Sequence, residues 1–327
     1  MSDQATTPKK ASLAHRLYHG ETSFDFVGRR KLWWAFSTVV ILAGLLSLVT
    51  QGLNLGIDFE GGTSWEVPAP GVSVAEARDA VRPLGLGDAT IQTIGDDRLR
   101  VASGNESPEQ QEAISRALAD LARVDISQVS VNDVGPSWGQ AVTNKARNAL
   151  IVFFILISIY ISLRFEWKMA VAALAAVVHD ILVTVGVYSL SRFQVTPATV
   201  VAFLTILGYS LYDTIVVFDK VEENTKGLAA SGRFTYSDTV NLSMNQVLMR
   251  SLNTSIVAIM PIVSILVIGA GVLGATTLND FGLALLVGLL TGAYSSIFIA
   301  APILAILKER EPRYAGVRQR LTAKGGA

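Results

Sequence analysis

The sequence predicts a polytopic α-helical membrane protein carrying one small α+β domain, and three observations support this. Half of the 327 residues are hydrophobic and 17% are charged, a balance too apolar for a large soluble domain. Six weakly charged stretches are each long enough to cross the hydrocarbon core of a bilayer. Charge is also sorted along the chain: residues 1–31 hold six Lys/Arg against three acids and residues 308–327 six against two, whereas residues 53–140 hold fourteen Asp/Glu against six Arg. Basic tails belong on the cytoplasmic side, and six spans return both termini to it.

Residues 1–31 read as a cytoplasmic tail carrying Lys9, Lys10, Arg16, Arg29, Arg30 and Lys31. The apolar run 32–50 follows a basic segment, as a cleaved signal would. It has no charged residue, and no small-x-small cleavage pattern follows at Thr50-Gln51-Gly52, so it reads as an uncleaved first span. An extracytoplasmic segment over 53–140 comes next. Its pattern is strand (63–67), helix (73–84), strand (89–94), a Gly95-Asp96-Asp97 turn, strand (98–103), helix (108–122) and strand (128–134). That βαββαβ order is the one of a ferredoxin-like domain. With no nucleophile, metal cluster or phosphate loop, it reads as a binding or mechanical module. Gly61-Gly62 is no dinucleotide fingerprint, because no G-x-G-x-x-G opens a helix there, and its plain reading is a turn between membrane and domain.

The other spans are predicted at 146–163, 169–190, 197–219, 251–275 and 281–307, with a partly helical, amphipathic cytoplasmic loop over 220–250 and a tail from 308. Lys145, Arg147 and Arg192 then fall outside, against the trend of the rule. The chain has no cysteine, which excludes disulfides, thiol catalysis and Cys-based metal sites. Its basic residues flank spans and form no nucleic-acid footprint.

The candidate site begins with Asp213, a carboxylate inside the apolar stretch 197–220. A mid-membrane Asp costs about 2.5–3.5 kcal/mol, so it needs a partner and marks a functional site. At about 100° per residue, Ile206, Tyr209, Ser210 and Val217 share its helix face, and Asp219 lies about 120° away. His179 and Asp180 sit in the preceding span among Ala172, Ala173, Ala175, Ala176 and Gly186, small residues that let helix backbones approach closely. Arg250 opens the following span at the depth where Asp213 ends its own. An Asp213–Arg250 pair is geometrically open, and a proton on the carboxylate would break it. The plainer alternatives are a hydrated Asp213, a solvated helix-end Asp219, an anchoring Arg250 and a packed, hydrogen-bonded His179.

Gly208-Tyr209-Ser210-Leu211-Tyr212-Asp213-Thr214-Ile215-Val216-Val217-Phe218-Asp219-Lys220 resembles the SecF family of the bacterial Sec protein-export machinery. The resemblance continues in Gly56-Ile57-Asp58-Phe59-Glu60-Gly61-Gly62-Thr63, Val178-His179-Asp180, Arg250-Ser251-Leu252-Asn253-Thr254-Ser255 and residues 288–302, and so spans nearly the whole chain. It departs at Tyr212, where the family usually has Asn, and at Lys220, where it usually has Arg. The resemblance implies a proton-driven transporter of the resistance-nodulation-division type in the bacterial cytoplasmic membrane. It would work with SecD beside the SecYEG channel on preproteins, with protons as coupling ion and no other cofactor. On that reading Asp213 takes the proton, Arg250 is its charge partner, and His179, Asp180 and Asp219 support it. The motif of Asp58, Gly61 and Gly62 would couple the first span to the outer domain. Competing readings are half of a small-molecule or lipid exporter of the same superfamily and a structural scaffold. An enzyme is disfavoured, because Asp213 and Asp180 sit in no aspartyl-protease motif.

Overall fold

The computed structural model describes residues 22–95, 97–226, 234–273 and 275–325. Among them six helices are long and apolar enough to cross a membrane, in keeping with the predicted fold class. The first span is Arg30–Gln51, the second Pro136–Arg164, the third Trp167–Ser191 and the fourth Pro197–Thr225. The fifth runs over Tyr236–Ser264 and continues as a π-helix over Ile265–Val272. The sixth runs over Thr276–Ser295, passes through a π-helical segment at Ser296–Ala300 and ends in Ala301–Glu309.

The first span leads through β1 (Asn54–Leu55) and a one-turn helix, Ile57–Glu60, into the α+β domain. There β2 (Gly62–Pro68), helix Val74–Val81, β3 (Thr90–Ile94), β4 (Arg98–Ser103), helix Pro108–Ala122 and β5 (Ser130–Val134) follow in turn. The sheet order is β3-β4-β2-β5 with every neighbouring pair antiparallel, which is the ferredoxin-like topology. Ser73 with Glu76, and Ser107 with Gln110, close capping boxes that start the two helices. The alternation of strand side chains sends Trp65 and Val67, and opposite them Val101 and Leu99, onto these helices, where Ile114 and Leu118 complete a core. Trp65 is fully buried. Trp65→Ala should therefore destabilise the domain by about 3–5 kcal/mol, read as faster amide exchange in β2 and β4 of the intact chain in detergent. Unchanged exchange would contradict this core. The opposite face of the sheet, with Ser64, Glu66 and Arg100, lies against the ends of the spans.

Several boundaries differ from expectation. Pro136, at a first helical position that suits proline, starts the second span, so residues 136–140 belong to it and not to the domain. The expected span 146–163 is the inner part of this longer helix. The expected loop over 220–250 is mostly helix, since the fourth span continues to Thr225 and a Thr235–Asp238 capping box starts the fifth at Tyr236. Residues 227–233 lie outside the described residues. The short connection before the fourth span contains β6 (Gln194–Val195), which pairs in parallel with β1.

The two tails are also structured where they are described. Asn241 Oδ1 accepts from the backbone N–H groups of Phe26 (2.9 Å) and Val27 (3.0 Å), and Asn245 Oδ1 from that of Phe24 (2.9 Å). Phe26 and Val27 are buried. The segment before the first span is thus strapped to the fifth; Lys9, Lys10 and Arg16 lie outside the described residues. The last segment forms a helix, Pro312–Gly325, whose Tyr314 packs on Tyr236 with ring centroids 4.8 Å apart.

Candidate functional site

Small residues bring the helices close enough for buried polar groups to meet. Gly44 of the first span and Gly186 of the third touch backbone to backbone, and a Cβ on Gly44 would stand 2.5 Å from the Gly186 Cα. Gly288 and Gly292 of the sixth span face Ile206 and Ser210 of the fourth, and a Cβ on Gly292 would stand 2.7 Å from the Ser210 Cβ. Close packing of this kind removes water and obliges each polar side chain to find a protein partner.

The partners form a line across the bundle. Tyr294 of the sixth span and Ser37 of the first meet at 3.1 Å, and Ser37 meets His179 Nε2 at 3.1 Å. His179 Nδ1 lies 3.2 Å from Asp180 Oδ1, and Ser210 Oγ donates to Asp180 Oδ2 at 2.5 Å. The Ser210 carbonyl in turn accepts from the hydroxyls of Thr214 (3.1 Å) and Ser296 (3.3 Å). Asp213, 5% exposed, accepts from Ser251 of the fifth span at 2.9 Å through Oδ1. Its other oxygen, Oδ2, is buried without a hydrogen-bond partner. A buried carboxylate with one oxygen satisfied and one not is suited to take a proton, because protonation removes its charge.

The other candidates fall differently. No Asp213–Arg250 ion pair forms among the described residues: Arg250 is exposed, and the next residue, Ser251, reaches the carboxylate instead. Asp219 stands apart from the buried line and pairs with Arg164 at 2.8 Å, both side chains nearly half exposed. Tyr212 projects outward, 52% exposed, and Lys220 pairs with Glu223 at 3.0 Å, so neither departure from the family pattern enters the Asp213 hydrogen bonds.

The glycine pair has a stricter role than a plain turn. Gly61 and Gly62 have φ of +81° and +124°, values that L side chains rarely adopt. A Cβ on Gly61 would press on Pro136, and one on Gly62 would fall on the Ser103 carbonyl oxygen. Gly139 lets the Phe59 carbonyl approach, and Thr143 donates to that carbonyl at 3.2 Å. The Asp58 segment is therefore docked on the second span. Asp58 lines a cavity of about 460 Å³ between the domain and the bundle.

Sequence reasoning missed the cluster of charged and polar side chains that lines that cavity. Arg100 of β4 is 7% exposed. Its Nε donates to Glu66 Oε1 at 2.7 Å, and its Nη1 to Gln194 and, at 3.3 Å, to Asp280 Oδ2 at the start of the sixth span. Thr276 donates to the other Glu66 oxygen at 3.0 Å. Strand alternation places Glu66 and Arg100 on the face opposite the core, which reads as solvated; alternation carries no sign of what covers that face.

Comparison with known proteins agrees with this architecture. The family described as protein export membrane protein SecD/SecF, C-terminal, matches residues 113–310, and the SecD/SecF GG motif matches residues 46–69. The chain belongs to the SecD/SecF family of protein export membrane proteins. Within that family its similarity is to SecF subunits. It is 44% identical over 317 residues to the protein translocase subunit SecF of Streptomyces coelicolor, covering 97% of this chain and 85% of that protein. It is 36% identical to the protein translocase subunit SecDF of Bacillus subtilis over 88% of this chain and 38% of that one. The crystal structure of SecDF from Thermus thermophilus superposes with a TM-score of 0.78 at 32% identity, over 89% of this chain and 39% of that chain. The chain thus spans about two-fifths of the SecDF chains it matches.

Proposed function

We propose that this chain is a proton-driven accessory subunit of a Sec translocase, working with SecD beside a SecYEG channel to draw preproteins across the bacterial cytoplasmic membrane. The observation that carries the coupling is the buried Asp213 carboxylate, with Ser251 on one oxygen and no partner on the other. The partnership with SecD is supported by the SecDF relatives, in which the part matching this chain is less than half of a longer chain. In this arrangement both termini lie in the cytoplasm and the acidic α+β domain lies outside.

Protons are the coupling ion, and no other cofactor is assigned. One charge moved through 100 mV supplies about 2.3 kcal/mol, enough to bias a two-state movement though not to unfold a stable preprotein in one step. Protonation of Asp213 removes the negative charge that the Ser251 hydroxyl stabilises, and loosens the packing of the fourth and fifth spans around it and, through Thr214 and Ser296, of the sixth. Deprotonation restores it.

The deciding experiment is secretion by vesicles carrying Asp213→Asn, with and without a proton gradient, and with assembly of the complex followed in parallel. Secretion should lose its gradient dependence while assembly persists, because Asn retains an acceptor for Ser251 but takes no proton. Secretion that still responds fully to the gradient would remove Asp213 from the coupling and leave it a packing residue.

A further inference from the structure

We propose that Arg100 is a coupling residue, the clasp through which the sixth span holds and moves the α+β domain. This rests on the proton-driven reading, and extends it to a residue outside the bundle. The domain meets the spans through backbone at its covalent joints, where the Gly61-Gly62 segment docks over Gly135-Pro136, and beside the β1–β6 pair at the third-to-fourth connection, where Gln92 donates to the Arg192 carbonyl at 2.7 Å and Arg100 donates to Gln194. Its contact with the sixth span is made of side chains, Arg100 and Glu66 meeting Asp280 and Thr276.

The sixth span joins this clasp to the proton site. Asp280 lies at its domain end, and Ser296, hydrogen-bonded to the Ser210 carbonyl and to Thr214 beside Asp213, lies sixteen residues on. At 1.5 Å per residue the two are about 24 Å apart along one helix. Between them Gly288 and Gly292 are packed on the fourth span, so a change at Asp213 and Thr214 meets the sixth span directly. Ser296 also opens the π-helical segment, an irregularity that often marks a functional position in a helix.

The chemistry of the clasp suits a contact that is made and released. Arg100 and Glu66 are directly opposed across β4 and β2, so the domain contains a complete ion pair of its own. Asp280 is a second carboxylate on the same guanidinium, and Asp58 lines the same cavity. When the sixth span withdraws, Arg100 keeps Glu66 as partner, and the freed Asp280 faces a cavity with room for water. Neither side is left with an unpaired buried charge, which is the usual obstacle to opening a buried ion pair.

The test uses the absence of cysteine. Ser64 lines the cavity at 5% exposure, so Ser64→Cys places a single thiol there in the full chain assembled with its complex. Its labelling by a small, charged, membrane-impermeant thiosulfonate reports opening. Labelling should be slow without a proton gradient and faster with one. Asp280→Asn leaves the Arg100–Glu66 pair intact and weakens the link to the span. It should raise labelling without a gradient by about tenfold, the scale of one hydrogen bond to a charged group, and reduce the further response to the gradient. Arg100→Gln should do the same, and amide exchange in β2 would tell opening from unfolding. If both variants label at the parent rate and keep the gradient response of labelling and secretion, the clasp is overturned. If Asp213→Asn still responds to the gradient while Asp280→Asn labels faster without one, the proton assignment fails and the clasp stands as an attachment.

Discussion

Asp180→Leu should lower the yield and thermal stability of the assembled protein, whereas Asp180→Asn should leave both near the parent and reduce gradient-driven secretion. Asp180 is 1% exposed between the third and fourth spans. Leucine fills a similar volume but strips a partner from Ser210 and from His179 at one stroke. Leaving a buried hydrogen-bonding group without its partner costs about 1–3 kcal/mol in water-soluble proteins, and interhelical hydrogen bonds in bilayers are worth about 0.6–2 kcal/mol each. Two such losses at one crossing should be visible in a melting curve of the detergent-solubilised complex. Asparagine can still accept from Ser210, so the crossing is kept while the carboxylate beside His179 is lost. Secretion with full gradient dependence in the Asn variant would mean that His179 and Asp180 serve packing alone.

Gly62→Ala should disorder the start of β2 and with it the domain. The φ of +124° is strained for alanine, and such strain costs on the order of 1–3 kcal/mol. The added methyl would also fall on the Ser103 carbonyl, on backbone with no side chain to rotate away. Gly62 pairs with Val134 at the end of β5, next to the joint with the second span, so the damage lands where domain and membrane meet. The check is limited proteolysis of the intact chain in vesicles, compared with Gly104→Ala. A methyl on Gly104 would meet nothing within 4 Å, and this substitution should change little. Equal resistance of the two variants would contradict the assigned strain.

Hydropathy made the spans legible, and strand and helix periods made the βαββαβ order legible, because each reports a local environment repeated over many residues. Asp213 stood out for the same reason, as one acid in an apolar helix. Its partner did not: Arg250 attracted the assignment by its charge, while Ser251, the residue that touches the carboxylate, is a small hydroxyl of a kind common in spans. Ser37 was likewise invisible, since its contact with His179 joins residues 142 positions apart. The strap at Phe24–Val27 is short and without period, and its partners Asn241 and Asn245 lie more than 200 residues along the chain. The strand carrying Arg100 was legible, but the contact of Arg100 with Asp280 was not, because the helix end covering that face of the sheet is set by tertiary packing alone.

The meeting of Gly44 and Gly186 bears on how the bundle can deform. Where two backbones touch without side chains between them, no rotamer can change to absorb a shift, so the first and third spans can pivot about that point but cannot slide along it. The Ser47–Ser189 hydrogen bond, 2.8 Å, and the His179–Ser37 contact lie on either side of the crossing and fix its angle as well. These two helices therefore act as one strut. The contact of the fourth and sixth spans is more compliant, because Ile206 and Ser210 meet glycine there and have side chains that can readjust.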